Sequence, residues 1–145
     1  MKLSLPHKKP ILFVDSHHIV NEEDITAKYA VPVDHPVLKG HFPHFRIWPG
    51  IHLIEGMSQT AGLHAMHLAS EKLSEPGTKY VTMLSTVDKV KFRRPVMPGA
   101  KLKYFATLYK KKHNHIFYKC TVYSSTVRVA EAVIGLTAVN MGIQQ

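Results

Sequence analysis

The chain has 145 residues and a mass of 16.4 kDa, which suits one domain large enough to bury a core. Its hydrophobic content of 45% and charged content of 20% are typical of globular proteins. The net charge of +9 is compatible with an anionic partner, but the basic residues are scattered and no zinc-ligand spacing or nucleic-acid motif accompanies them. We therefore expect one domain over residues 1–145 and no nucleic-acid partner.

The single cysteine and the polar N-terminal sequence indicate the cellular compartment. Cys120 leaves no partner for a disulfide within the chain, which favours a reducing compartment. The opening sequence, MKLSLPHKKP, contains no long apolar segment, so we expect neither a signal peptide nor a membrane anchor. The expected location is the cytoplasm, with no membrane partner.

The first third of the chain predicts two strands and a loop. The apolar run at Ile11–Val14, prolonged to Val20, predicts the first strand, and the polar Asn21–Asp24 predicts a hairpin turn. Partial alternation over Ile25–Val33 predicts a half-buried second strand. The two prolines within Asp34–Trp48, Pro36 and Pro43, predict a loop.

The next segment is the best helix candidate. Pro49-Gly50 marks its start, and no proline follows from Ile51 to about Leu73, a length of about 30 Å as a helix. The segment is apolar on most sides, which predicts a buried helix. Small residues keep it thin: Gly56, Ser58, Ala61, Gly62 and Ala65. Glu55 falls in its first turns, where a buried carboxylate needs a partner or a role. Ser74–Gly77 is expected to end the helix.

Beyond the helix the sequence predicts four strands joined by short turns. The predicted strands are Lys79–Pro95, Lys101–Lys110, His115–Tyr123 and Val127–Val139. The predicted turns are Pro98-Gly99, Lys111–Asn114 and Ser124-Ser125. A thin buried helix among strands favours an α+β architecture, with an antiparallel sheet wrapped around the helix.

A motif at the helix start resembles a known family. Gly40–Pro43 (GHFP), then Pro49-Gly50, then Glu55 and Gln59 resemble the signature of the β-hydroxyacyl-acyl-carrier-protein dehydratases of bacterial fatty-acid synthesis. The resemblance implies the hotdog fold, a curled antiparallel sheet wrapped around one long central helix. Glutamate at position 55, where a sister dehydratase-isomerase group has aspartate, favours the glutamate-bearing branch.

Two further blocks carry the same resemblance in the same order. Leu5-Pro6-His7, with Pro10 and Phe13–Asp15, resembles the N-terminal segment of the family, and Val87–Val96 with Pro98-Gly99 resembles a later strand. Three blocks in the right order are more specific than any one of them.

The resemblance implies a role for each site residue. His41 matches the catalytic base, and Glu55 matches the acid that assists departure of the hydroxyl group. Gly50 matches the backbone donor to the thioester carbonyl, at a helix N-terminus where the dipole favours negative charge. Gln59, one turn after Glu55, could hydrogen-bond and orient the carboxylate. No metal or organic cofactor is required, and the histidines other than His7 and His41 are assigned to structure or surface.

The resemblance also implies partners. These are an acyl carrier protein bearing a 3-hydroxyacyl chain and a second copy of the chain, with His41 of one subunit meeting Glu55 of the other; a trimer of dimers is the larger assembly. Carrier proteins are acidic, and strand alternation would place Lys89, Lys91 and Arg93 on one face. With Arg94 these residues are the predicted docking site.

Departures from the family pattern leave alternatives open. His44, Phe45 and Arg46 replace a loop that usually has glycine and proline, Trp48 replaces a smaller residue, and Gly56 replaces alanine. A bulkier loop would suit either fatty-acid synthesis or a specialised polyketide or polyene pathway. The hotdog fold also carries acyl-thioester hydrolases, and a non-catalytic acyl-carrier or acyl-chain binding protein is a further alternative.

Overall fold

The structure, a computed structural model, describes residues 4–72 and 78–143. Its strands are β1 (Ser16–Ile19), β2 (Asp24–Ala30), β3 (Thr78–Phe92), β4 (Lys101–Lys112), β5 (His115–Ser124) and β6 (Val127–Ile143). They form one antiparallel sheet in the order β1-β2-β4-β5-β6-β3. One helix, α1 (Gly50–Lys72), packs against β2 to β6. The predicted α+β hotdog architecture, a curled sheet around a central helix, is confirmed.

The middle of α1 is the centre of the core. Leu53, Met57, Ala61 and Ala65 recur at four-residue intervals and are buried against the sheet. Burying a side chain such as Leu53 contributes about 1.5–3 kcal/mol of stability. Among the described residues, no helix is long and apolar enough to cross a membrane.

The first turns of α1 are more exposed than the sequence predicts. The Ile51 side chain is 70% exposed, and the Glu55 side chain keeps 27% of its surface accessible. The reason is the sheet order: β3 is an outermost strand, so the chain's own sheet ends beside this part of the helix. The prediction of a helix buried from its start is therefore wrong for the single chain.

The strand predicted at Ile11–Val14 is also wrong. The first strand begins at Ser16, and Phe13 and Val14 are instead buried as irregular backbone. Their segment pairs with a side chain, since the Phe13 amide donates to Gln59 Oε1 at 2.9 Å and the Ile11 carbonyl accepts from Gln59 Nε2 at 2.8 Å. A backbone whose polar groups bind a helix side chain has none left for a strand ladder.

Other boundaries differ by a few residues. The second strand ends at Ala30, the loop before α1 contains a short 3-10 helix at Pro36–Lys39, and β6 continues to Ile143. The hairpin turn after Asn21 is confirmed, because the Asn21 side chain accepts from the amides of Glu23 and Asp24. The predicted helix end at 74–77 lies outside the described residues.

Gly56 allows the helix to approach the sheet closely. The hydroxyl and ring of Tyr104, on β4, occupy the position that a Cβ at residue 56 would take. The Tyr104 side chain is fully buried, and its hydroxyl has no hydrogen-bond partner among the described residues. Tyr104 thus fills the space that a side chain at residue 56 would take.

This contact predicts that Gly56→Ala destabilises the fold by about 1–3 kcal/mol, because the new methyl group overpacks the core. Chemical denaturation measures the change. Gly40→Ala is a matched control, since a Cβ there has only the Val37 carbonyl nearby, at 4.0 Å. In a Tyr104→Ala background the cost of Gly56→Ala should largely disappear; an undiminished cost would show that Tyr104 is not its cause.

Candidate active site

The His41 loop is closed by two hydrogen bonds between the same two residues. His41 Nδ1 lies 3.1 Å from the Ile47 carbonyl, and the Ile47 amide donates to the His41 carbonyl, also at 3.1 Å. A carbonyl oxygen can only accept, so this contact assigns the proton to Nδ1. The Nε2 atom of His41 then carries the free lone pair that a base requires.

Trp48 anchors the end of this loop. Its amide donates to the Val96 carbonyl at 2.7 Å, and its buried indole packs edge-on against Phe13 and His35. His52 lies against the same indole, and burial, then the neighbouring His35 and His41, lower its pKa. Trp48 therefore packs the end of the loop against the core.

Gly50 begins α1 beside the His41 loop. The first amides of a helix have no partner within the helix, and the helix dipole adds partial positive charge there. A Cβ at residue 50 would lie 2.8 Å from the Phe92 ring, so glycine lets this ring of β3 lie against the helix start. His41 and Gly50 line a pocket of about 490 Å³, hereafter the histidine pocket, together with Phe92, Arg93 and Arg94.

Glu55 lies in a second pocket. This glutamate pocket, of about 290 Å³, is lined by Leu5, Pro6, His7, Glu55, Ser58, Gln59, Gly62, Met66 and residues 81–84 of β3. Gln59 Nε2 donates to Glu55 Oε1 at 3.0 Å. Because Gln59 Oε1 must accept the Phe13 amide, the orientation of the Gln59 side-chain amide is assigned without ambiguity.

A single chain does not bring His41 and Glu55 into one pocket. Gly50 and Glu55 are five residues apart on α1, which is about 140° around the helix axis. The histidine pocket therefore opens on one side of the helix start and the glutamate pocket on another.

The predicted basic strip is interrupted. A register shift between Asp88 and Lys91 and a φ of 50° at Lys89 mark a bulge in β3, so the simple alternation that predicted a shared face fails at Lys89. Lys91 and Arg93 do share a face, since both reach Glu131, at 4.0 Å and 2.9 Å.

Glu131 pairs with Arg93 and also with Arg128, at 3.0 Å. This carboxylate therefore neutralises part of the positive charge of Arg93. The carboxyl pKa of Glu131 is lowered, chiefly by its hydrogen bonds from Arg93. Arg94 takes part in no ion pair within the described ranges and lines the histidine pocket, which makes it the freer cation there.

The side chain that sequence reasoning missed beside the carboxylate is His7. Its Nε2 lies 3.3 Å from Glu55 Oε1. The only sign of His7 in the sequence was the Leu5-Pro6-His7 block of the family resemblance. Its distance along the chain from Glu55 gives no indication that the two side chains meet. The contact depends on the path of the N-terminal segment across α1.

Comparison with known proteins shows the family of the chain. The FabA-like domain family matches residues 5–133. The chain belongs to this family. A 3-hydroxyacyl-[acyl-carrier-protein] dehydratase FabZ of Brucella abortus is 37% identical over 131 residues, covering 90% of this chain and 80% of the relative. A FabZ of Petrotoga mobilis is 35% identical over 134 residues, covering 91% of each chain.

A solved structure shares the fold of this FabA-like chain. The dehydratase heterocomplex ApeI:P from Xenorhabdus doucetiae contains a chain that superposes with a TM-score of 0.74 at 18% identity, covering 94% of this chain and 89% of that one. At this identity the similarity shows the fold alone. The relatives that share sequence along most of the chain are FabZ dehydratases, so the family favours the dehydratase interpretation over the thioester hydrolase.

Proposed function

We propose that the chain is a 3-hydroxyacyl-[acyl-carrier-protein] dehydratase, the activity named for its FabZ relatives. The observation that carries the proposal is the state of His41: its Nδ1 is held by a carbonyl, its Nε2 is free, and it shares a pocket with the start of α1. The whole chain acts as one hotdog domain without a metal or organic cofactor. The reaction belongs to fatty-acid synthesis or a related polyketide or polyene pathway in the cytoplasm.

Each group has a role in the elimination. His41 Nε2 removes the α-proton of the thioester, and the Gly50 amide donates to the carbonyl oxygen as negative charge develops there. Glu55 gives a proton to the 3-hydroxyl group, the C3–O bond breaks, and water and the trans-2-enoyl thioester leave. His41 then loses its proton and Glu55 regains one through solvent.

The assembly we propose is a homodimer in which His41 of one subunit and Glu55 of the other form each site. Three exposed apolar side chains support it: Ile51 at 70%, Met83 at 57% and Phe92 at 53%. Met83 borders the glutamate pocket, and the other two border the histidine pocket. They lie beside the free edge of β3, a long strand that a second copy would cover. A trimer of dimers is the larger form of this proposal.

His41→Ala and Glu55→Gln should each reduce dehydration of a carrier-bound substrate at least ~100-fold, the contribution of a positioned base or acid. Formation of the 2-enoyl thioester is followed by mass spectrometry, which also detects free thiol from hydrolysis. The exposed His44 is a control, because His44→Ala should retain full activity. Near-normal turnover by either site variant would remove that residue from the mechanism, and release of free thiol alone would favour a hydrolase.

Mixing His41→Ala and Glu55→Gln subunits should restore activity. After random exchange half the dimers are mixed, and one of the two sites in each carries both intact residues, so roughly a quarter of wild-type activity is expected. Light scattering measures the oligomer, and mass spectrometry of differently labelled subunits verifies the exchange. A monomer, or no recovery after verified exchange, would contradict a site shared between subunits.

We also propose that an acidic acyl carrier protein docks at the rim of the histidine pocket. Arg93 and Arg94 line that pocket. Lys89 and Lys91 lie on β3, farther from the pocket, and would assist the approach of the carrier protein. Opposite charges at a rim raise the association rate and are screened by salt.

Arg94→Glu should raise KM for the carrier-bound substrate at least about threefold, with little change for a short soluble thioester. Arg94 is preferable to Arg93, whose reversal would place two carboxylates together at Glu131. Lys103→Glu, an equal charge reversal on an exposed β4 position, is the control. Equal losses on both substrates would show that Arg94 supports the site itself and would exclude docking there.

A further inference from the structure

His7 of the N-terminal segment and Gln59 of α1 both approach one oxygen of the Glu55 carboxyl. Gln59 Nε2 donates to Oε1 at 3.0 Å, and His7 Nε2 lies 3.3 Å from the same atom. Both contacts go to Oε1. The His7 and Glu55 side chains retain only 31% and 27% of their surface, so the contact is partly shielded from water.

We propose that His7 is a positioning residue for Glu55. With Gln59 it fixes Oε1 as the accepting oxygen, so that Oε2 is the atom that carries the proton and gives it to the departing hydroxyl group. This inference rests on the proposed dehydratase function. His7 itself does not touch the reacting atoms; it acts through the carboxyl group.

The state of the His7 ring agrees with this role. Its Nδ1 is buried and has no hydrogen-bond partner among the described residues, so Glu55 is the polar group toward which the ring directs its other nitrogen. A histidine placed only to fasten the segment would be expected to use its buried nitrogen as well, because a buried polar atom without a partner costs free energy.

The same contact stabilises the product of the proton transfer. When Glu55 Oε2 gives its proton to the hydroxyl group, the carboxyl becomes a carboxylate and negative charge spreads to Oε1. An N–H donor interacts about twice as strongly with a charged acceptor as with a neutral one. The Gln59 hydrogen bond to Oε1 therefore strengthens with the transfer, and the His7 ring nitrogen lies 3.3 Å from the same charged oxygen, so both contacts favour kcat more than substrate binding.

The position of His7 depends on the fold of its own segment. The amides of Ile11 and Leu12 both donate to the Lys8 carbonyl, at 3.0 Å and 3.1 Å, which forms a turn directly after His7. Gln59 then binds the far side of that turn through Ile11 and Phe13. One glutamine therefore fixes the carboxyl and also the segment that brings His7 to it.

The test compares His7→Leu, which removes the ring nitrogen that faces Oε1, with His7→Gln, whose amide nitrogen can lie near the same point. On a carrier-bound substrate His7→Leu should lower kcat about tenfold with KM within about twofold, and His7→Gln should recover most of the loss. Asp15→Ala is the control for a loosened segment, because Asp15 fastens the segment to the Ala30 amide at 2.8 Å without contacting Glu55.

Unchanged kcat in His7→Leu would overturn the proposal, as would equal losses in all three variants. Crystal structures of the wild type and His7→Leu make the test independent of turnover. The Glu55 carboxyl should keep one orientation in the wild type and rotate or occupy several orientations in the variant. An unmoved carboxyl in His7→Leu overturns positioning by His7, whereas a wild type without dehydratase activity overturns only the proposed function.

Discussion

The side-chain amide of Gln59 is the interaction on which the site depends most. It is buried, and its nitrogen donates one N–H to Glu55 and the other to the Ile11 carbonyl. Its oxygen accepts from the Phe13 amide. An amide with its donors and acceptor all engaged has one orientation, since a flip would oppose donor to donor. The carboxyl group, the central helix and the N-terminal segment are therefore fixed relative to one another by a single residue.

The histidine side of the site depends on a different constraint. His41 is fixed by its own loop, which Trp48 fastens to Val96 after β3, while Gln59 fastens Glu55 to the segment before β1. The two halves of the proposed site are thus built by separate parts of the fold. That arrangement is consistent with the proposed dimer, because each subunit would hold one half of the site rigidly before assembly.

The parts of this structure that sequence could predict are those decided by neighbouring residues. Pro49-Gly50 and the apolar run after it predict α1 because breakers and periodicity act locally. The irregular path of Ile11–Val14 could not be predicted, since the Phe13 amide meets its partner Gln59 46 positions along the chain. The bulge at Lys89 and the exposure of Glu55 likewise depend on sheet pairing and on the free edge of β3.

Gly56 shows how a departure from the family pattern is accommodated in the helix turn that carries Glu55. Where the family usually has alanine, the space is filled by the Tyr104 ring from β4, at the cost of a buried hydroxyl that has no partner among the described residues, roughly 1–3 kcal/mol. Burial of the large ring offsets part of this cost. The helix turn that carries Glu55 therefore rests on a rigid aromatic from the sheet, and its distance from the sheet is set by that ring.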